Sequence, residues 1–146
     1  MIRLTLPIPP STNALFLNNG RGHGRRVSPA YSAWHWAALQ ALRGHVYEAI
    51  VEGKWRMTVR VPRAMRGDVD NRIKAVSDFL VDHHVTLDDK HCDHAEALRD
   101  DAVPAGRCVV EIESLDPVQA VAGARGAGAS ASAPSIQNTE GTGAGA

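Results

Sequence analysis

The sequence lacks the features that mark membrane, secreted and fibrous proteins. Aromatic residues make up only 5% of the 146 residues, and no apolar run is long enough to cross a bilayer. The two cysteines, Cys92 and Cys108, are too few for a disulfide framework, and the N-terminus does not resemble a secretory signal. Hydrophobic residues at 44% and charged residues at 22% are typical of an ordinary globular protein, which we expect in the cytoplasm.

The formal net charge is zero, but the positive and negative residues are distributed unevenly along the chain. Residues 1–67 carry ten Lys and Arg against two Asp and Glu, a net charge of +8. Residues 68–115 carry five against twelve, a net charge of −7. This split favours a protein with one surface that attracts a polyanion and a separate concentration of carboxylates. The alternative, that the two halves pair with each other across the fold, stays open.

Large apolar residues are scarce in the last part of the chain. From about Asp116 the sequence is mostly Gly, Ala, Ser and Thr. Such a stretch cannot bury enough apolar surface to offset the entropy of ordering it. We therefore expect one domain over residues 1–115 and a disordered, non-catalytic tail over residues 116–146.

The pattern of apolar residues predicts strands and helices in residues 1–115. Alternation predicts strands, and spacing of three to four residues predicts helices. We expect strands at 2–6, 55–61, 92–98 and 108–112, and a glycine-rich loop at 11–27. One helix should begin at Ser28 and run through Val46 to end before Gly53, and another should run from about Asp68 to His83. This order indicates an α+β fold, with a small mixed sheet and two main helices packed on it.

The segment Asp68-Val69-Asp70-Asn71-Arg72-Ile73-Lys74 is the first candidate site. Acidic residues at a helix start can cap free N–H groups or favour the positive end of the helix dipole. Asp70 and Lys74 stand four residues apart and would share a helix face, so an ion pair is a second structural explanation. A functional explanation needs further carboxylates nearby.

A second acidic cluster, Asp88-Asp89-Lys90, follows the predicted helix, and paired carboxylates in a loop are often only solvated. Here they bring three or four carboxylates within 22 residues. Mg²⁺ binds carboxylate oxygens and water, and it usually uses few protein ligands. An Asp-x-Asp pair with a third aspartate folded back beside it would fit Mg²⁺. The metal would activate water, and Lys74 would add positive charge near the reacting phosphate.

Three separated motifs resemble the RusA family of Holliday junction resolvases. They are residues 6–13 (LPIPPSTN), residues 25–28 (RRVS), and the pattern Asp68-x-Asp70-Asn71-x-x-Lys74 with Leu87-Asp88-Asp89 about fourteen residues later. The resemblance covers roughly residues 1–115. It implies a homodimer that binds four-way DNA junctions and nicks two strands of like polarity.

By residue, the resemblance implies metal binding by Asp68, Asp70 and Asp89 and an essential catalytic role for Lys74. The role of Asp88 stays open. Members of the family can carry a run of arginines directly before the first aspartate, whereas here that stretch is RAMRG. Phosphate contact beside the site would then either be weaker or be supplied by Arg63 and Arg66 alone.

Further arginines are candidates for contact with the DNA backbone. They lie in the glycine-rich segment before the first predicted helix, and they are Arg21, Arg25 and Arg26. Trp34 falls on the apolar stripe of that helix and should be in the core. Trp36 could stack on a base. Asn13 could orient a catalytic water or only complete a turn.

Three other interpretations compete with this one. A zinc site could be built from a cluster of His and Cys, but the spacing matches no closed four-ligand pattern; the cluster is His83, His84, His91, Cys92 and His94. The chain could be a non-catalytic module that binds DNA junctions, with its carboxylates acting as helix caps. It could also be a metal nuclease of another fold that uses residues 88–90 as its metal motif.

Overall fold

The structure, a computed structural model, describes residues 1–45 and 50–116. Within these ranges the chain forms six strands, two α-helices and three single turns of 3-10 helix. The strands are β1 (Ile2–Pro7), β2 (Phe16–Asn18), β3 (Arg25–Val27), β4 (Trp55–Pro62), β5 (Cys92–Asp100) and β6 (Arg107–Ser114). The helices are α1 (Pro29–Arg43) and α2 (Ile73–Asp82), and the 3-10 turns are Thr12–Ala14, Asp70–Arg72 and Asp89–His91.

Four of the strands form the main sheet, in the order β1-β6-β4-β5. β6 pairs antiparallel with β1 and with β4, whereas β4 and β5 run parallel, with Val59 opposite Ala97. Parallel neighbours need a crossover connection, and α2 provides it here. The prediction of an α+β fold with a small mixed sheet and two main helices is confirmed.

One face of the main sheet carries the hydrophobic core. Alternate residues of β1, β4 and β6 point to this face, and α1 and α2 cover it with their apolar stripes. Trp34 of α1 and Phe79 of α2 meet at a steep angle, with their ring centroids 5.4 Å apart. The largest fully buried side chains are Trp55, Phe79, Leu4, Leu6, Leu15, Met57, Leu80 and Ile112.

The opposite face of the main sheet carries charged side chains that pair across the strands. Arg60 lies between two carboxylates, with Glu111 at 3.1 Å and Asp100 at 3.2 Å. Arg3 of the edge strand β1 reaches the same Glu111 at 3.0 Å. Basic residues from the first half of the sequence thus pair with acidic residues from the second half on this face.

Residues 11–27, predicted to be a loop, contain regular structure instead. A 3-10 turn is followed by an antiparallel hairpin of β2 and β3, in which Phe16 lies opposite Val27. Three glycines allow the tip to turn back because they adopt φ angles of 95°, 82° and 71° at Gly20, Gly22 and Gly24. Strands of three residues are too short to show alternation, so the pattern missed them.

The predicted helix boundaries need correction. α2 begins at Ile73 rather than near Asp68, because a separate 3-10 turn occupies Asp70–Arg72. α1 begins after Ser28, as predicted, and ends at Arg43. The predicted apolar position at Val46 lies outside the described residues.

The two last predicted strands are longer than expected, since they are Cys92–Asp100 and Arg107–Ser114. The tail predicted from residue 116 lies, beyond Asp116, outside the described residues. Neither α1 nor α2, nor any 3-10 turn in residues 1–45 and 50–116, has the length and apolar character needed to span a bilayer.

Candidate metal and DNA site

The loop that leads from β4 to Asp68 is held in place by an arginine on β5. The guanidinium of Arg99 donates hydrogen bonds to the backbone carbonyls of Arg63, Met65 and Gly67. Gly67 adopts a φ of 87°, which a residue with a side chain rarely does. The carbonyls of an irregular loop thereby find a partner, and the position of Asp68 is fixed.

The 3-10 turn after Asp68 is fixed from the other side by the segment that follows β1. The guanidinium of Arg72 donates to the carbonyl of Pro9 at 2.8 Å, and the hydroxyl of Thr12 donates to the carbonyl of Asn71 at 2.9 Å. The side-chain amide of Asn71 donates to the carboxylate of Asp68 at 3.3 Å. Sequence reasoning missed Thr12 and Arg99, and neither carries a local signal for this role.

The side chains of Asp68 and Asp70 do not cap the helix that follows them. Both side chains are exposed, and no side chain caps either the 3-10 turn or α2. Neither carboxylate forms an ion pair with any residue in the described ranges. The capping explanation for these two acidic residues is therefore not realised in the structure.

Lys74 lies in the first turn of α2, close to this pair in sequence. Its ammonium contacts the carboxylate of Asp78 at 3.1 Å, one helical turn further on. The ion pair with Asp70, considered as a structural explanation, does not form because Asp70 belongs to the 3-10 turn. The lysine side chain is exposed, so it can leave Asp78 at little cost.

The two adjacent aspartates of the second cluster have different environments. Asp88 accepts from the backbone N–H of Lys90 at 3.0 Å and pairs with its ammonium at 2.8 Å. These contacts with Lys90 lower the pKa of Asp88 to about 2. Asp89 is exposed and forms no ion pair among the described residues. The carboxylate of Asp88 is therefore held by Lys90, whereas the carboxylate of Asp89 has no ion-pair partner among the described residues.

Asp89 lies at the opposite end of the molecule from Asp68 and Asp70. β5 begins at Cys92, just after Asp89, and Arg99 near its other end contacts the loop before Asp68. At ~3.3 Å per residue, the seven steps from Cys92 to Arg99 cover about 23 Å. The ten residues of α2 separate the same two ends by about 15 Å.

The three aspartates therefore do not meet within this chain. In the ranges that the structure covers, no group of three His, Cys, Asp or Glu side chains is arranged to hold a metal ion. The expectation that Asp89 folds back beside Asp68 and Asp70 is not met in a single chain.

The predicted DNA-contacting arginines fall in two places. Arg63 pairs with Asp101 at 2.6 Å beside the Asp68 loop, whereas Arg66 is exposed without an ion pair among the described residues. The others lie on the hairpin, namely Arg21, Arg25 and Arg26. They form no ion pairs in the described part of the chain, so their charge is available to an external anion.

The residues proposed for zinc are dispersed. The ring of His83 packs against Phe79 between the helices, with centroids 4.6 Å apart. His94 lies on the polar face of the sheet, 3.7 Å from Glu96. Trp34 is in the core, as predicted, and its indole N–H donates to the carbonyl of Pro7 at 2.9 Å.

No protein-family model matches this sequence. One curated protein, the crossover junction endodeoxyribonuclease rusA of Enterobacteria phage HK97, is 28% identical over 118 residues. The matched region covers 80% of this chain and 97% of the phage protein. The chain is thus similar to that endodeoxyribonuclease over nearly the whole length of the latter.

Proposed function

We propose that this chain is a Mg²⁺-dependent endodeoxyribonuclease that cuts four-way DNA junctions. The observation that carries the proposal is the state of Asp68 and Asp70. Two carboxylates two residues apart are held at the surface by Arg99, Asn71 and the turn, yet neither has a capping role or a cationic partner in the described residues. The similarity to a crossover junction endodeoxyribonuclease supports the same activity.

The donor set fits a hard divalent cation. Mg²⁺ prefers carboxylate oxygens, keeps several waters and needs only one or two carboxylates beside a substrate phosphate. Asp68 and Asp70 would hold it from one chain. When bound, the metal would lower the pKa of a water and stabilise charge on the phosphate oxygens. Asn71 would act as a positioning residue, since its amide restrains the carboxylate of Asp68.

Lys74 would contribute a positive charge next to the reacting phosphate. In the structure its exposed ammonium contacts the half-buried carboxylate of Asp78, one helical turn away. A helix pair with this four-residue spacing stabilises the helix by only ~0.3–0.5 kcal/mol. A phosphate at the turn would therefore compete effectively with Asp78 for the ammonium, which supports the proposed catalytic role of Lys74.

The distance between the aspartates suggests a homodimer. Asp89 is too far from Asp68 and Asp70 to share a metal with them in one chain, because Mg²⁺–oxygen distances are about 2.1 Å. In a twofold dimer, Asp89 of the partner subunit can complete each pair. A dimer of this kind has two equal sites, as paired nicks in strands of like polarity require.

The hairpin arginines would hold the DNA backbone. Arg21, Arg25 and Arg26 form no ion pairs with the described residues, and no acidic residue precedes Glu48 in the sequence. Arginines that neutralise phosphates give binding that weakens steeply with salt. Arg66, and Arg63 once released from Asp101, would extend this contact to the candidate metal site.

The test is cleavage of a labelled synthetic four-way junction, beside a linear duplex of the same length. Wild type, Asp70→Asn and the control Glu52→Gln, which removes an exposed carboxylate elsewhere, are assayed with Mg²⁺ and with EDTA. We expect paired symmetric nicks that need both Mg²⁺ and Asp70, with junction binding retained in Asp70→Asn. Binding without any cutting by the wild-type protein would instead leave a DNA-binding module.

A further inference from the structure

The β2–β3 hairpin is a two-stranded sheet separate from the main sheet, and hydrogen bonds join its base to the core. Leu15, just before β2, is fully buried, and Ser28, just after β3, donates its backbone N–H to the carbonyl of Leu15 at 2.9 Å. The hydroxyl of Ser28 also bonds the carbonyl of Ala14 at 2.6 Å and accepts from the N–H of Tyr31 at 3.0 Å. The hairpin therefore projects from a rigid base.

The hairpin exposes apolar side chains on both of its faces. Phe16 and Val27 lie opposite each other on one face, 37% and 49% exposed, and Phe16 also meets the ring of Tyr31 edge-on. Leu17 lies opposite Arg26 on the other face and is 39% exposed. Three of the eight exposed large hydrophobic side chains in the described residues are thus on this short ribbon. Such a concentration makes the hairpin a candidate interaction site.

The hairpin also carries positive charge that no carboxylate of the described residues neutralises in an ion pair. Its arginines form no ion pairs with the described residues, whereas Arg3, Arg56 and Arg60 on the main sheet are all paired with carboxylates. Free cationic charge beside exposed apolar side chains fits a partner that offers both an anionic chain and flat apolar surfaces. Nucleic acid offers phosphates and base faces.

The hairpin rises beside the candidate metal site. Thr12, just before it, bonds the carbonyl of Asn71, and Pro9 accepts from Arg72. From Phe16 to Gly20 the hairpin extends about 13 Å at ~3.3 Å per residue, close to the rise of four base pairs. A strand whose phosphate lies at Asp68 and Asp70 therefore passes within reach of the hairpin.

We propose that this hairpin enters the branch point of a four-way junction, where Leu17, with Phe16 behind it, packs on unstacked bases while Arg21, Arg25 and Arg26 hold the backbone. This inference rests on the proposed function, the cutting of four-way junctions, and it names the hairpin as the element that recognises the junction. A continuous duplex hides its base faces by stacking, whereas a branch point interrupts the stack. Apolar side chains inserted between bases are a known means of opening a nucleic-acid stack. The hairpin would therefore favour junctions over linear duplex.

The test uses the full-length protein in EDTA, so that binding is measured without cutting. A four-way junction carries 2-aminopurine beside the branch point, because this base fluoresces more strongly when it is unstacked. The variants are Leu17→Ala and, as a matched control, Leu115→Ala, whose side chain is 40% exposed and follows β6 at the opposite end of the chain. Leu17 is chosen over Phe16 because the latter also packs on Tyr31.

We expect wild type and Leu115→Ala to raise the fluorescence several-fold on binding. Leu17→Ala should lose most of this rise and bind the junction about 10-fold more weakly, with linear-duplex affinity unchanged. A wild-type fluorescence rise and affinity in Leu17→Ala would overturn the proposal, and intact Mg²⁺-dependent cutting would then leave the nuclease assignment standing. Absence of junction binding and cutting by the wild type would overturn both.

Discussion

At the scale of single residues, Asp88 and Asp89 show how neighbours of one residue type can have different surroundings. Asp88 is bound to Lys90 through its backbone N–H and its ammonium, while Asp89 points to solvent without an ion pair in the described residues. The sequence could not separate them, because the contact with Lys90 depends on the 3-10 turn at Asp89–His91. The resemblance to RusA-type resolvases implies Asp89 as the ligand, and the structure leaves that residue available.

We predict opposite outcomes for substitutions at these two positions. Asp89→Asn should lower Mg²⁺-dependent junction cleavage by about 100-fold or more, because an amide is a poorer ligand for Mg²⁺ than a carboxylate. Asp88→Asn should keep the cleavage rate within about threefold of the wild-type rate, since the carboxylate of Asp88 is bound to Lys90 rather than to the metal. The measurement is the single-turnover rate as a function of Mg²⁺ concentration. Equal losses for both variants would contradict the division of roles.

Lys74 and Asp78 allow a second prediction at this scale. Lys74→Gln should reduce the cleavage rate by about 10²–10³-fold at saturating DNA, because a charge near the developing phosphate charge is lost. Asp78→Asn removes only the resting partner of Lys74, so its rate should equal or exceed that of wild type. Single-turnover rates and junction affinities separate the two effects. A loss in Asp78→Asn as large as that in Lys74→Gln would mean that the pair is structural.

At the scale of elements, the sequence predicted the helices and strands whose apolar residues recur with a clear period, and it did not predict the short strands. The apolar stripe of α1, including Trp34 and Leu42, is buried as its helical spacing predicted. Alternation likewise located β4, whose Trp55, Met57 and Val59 are fully buried. The hairpin was not predicted because Phe16 and Leu17 are adjacent apolar residues, so they show no alternation along a three-residue strand.

The interface between α1 and α2 contains a histidine that should respond to acid. Burial lowers the pKa of His83, and the nearby ring of His35, whose centroid is 4.9 Å away, lowers it further. Asp82 opposes the shift, while His84 and Arg43 add to it. Because the unfolded chain then takes up this proton at a higher pH than the folded chain, stability should fall as the pH drops below about 6.5.

We therefore predict that His83→Gln reduces the loss of stability between pH 7.5 and pH 5. The wild-type urea midpoint should fall more over this interval than that of the variant, because glutamine has no proton to gain. The control is His23→Gln, which removes an exposed histidine at the hairpin tip and should keep the wild-type pH dependence. Parallel pH profiles for wild type and His83→Gln would show that this histidine does not cause acid sensitivity.

At the scale of the whole molecule, the basic residues of the first half have different surroundings in different places. On the polar face of the sheet, Arg3 and Arg60 from the basic half pair with Glu111 from the acidic half. On the hairpin, Arg25 and Arg26 have no such partners among the described residues. A count of charges along the chain could not make this distinction, because it depends on β6 lying between β1 and β4.

The separation of the aspartates leads to a prediction about the assembly. If each metal site joins Asp70 of one protomer to Asp89 of the partner subunit, Asp70→Asn and Asp89→Asn homodimers should both be inactive. A heterodimer of the two variants keeps one site with both aspartates intact and has one site with neither. Co-expression with two different affinity tags allows this heterodimer to be purified, and sedimentation verifies that it is a dimer.

The tagged heterodimer should nick junctions at about half the wild-type rate, because one of the two symmetric sites survives. It should also give single nicks rather than paired ones, so the linear products of resolution should be nearly absent. Sites built within one protomer give another result, since each chain of the heterodimer would then lack one ligand. An inactive heterodimer that still binds junctions, or a monomeric wild-type protein that cuts, would place all of the ligands in a single chain and require a rearrangement that brings Asp89 across about 20 Å to Asp70.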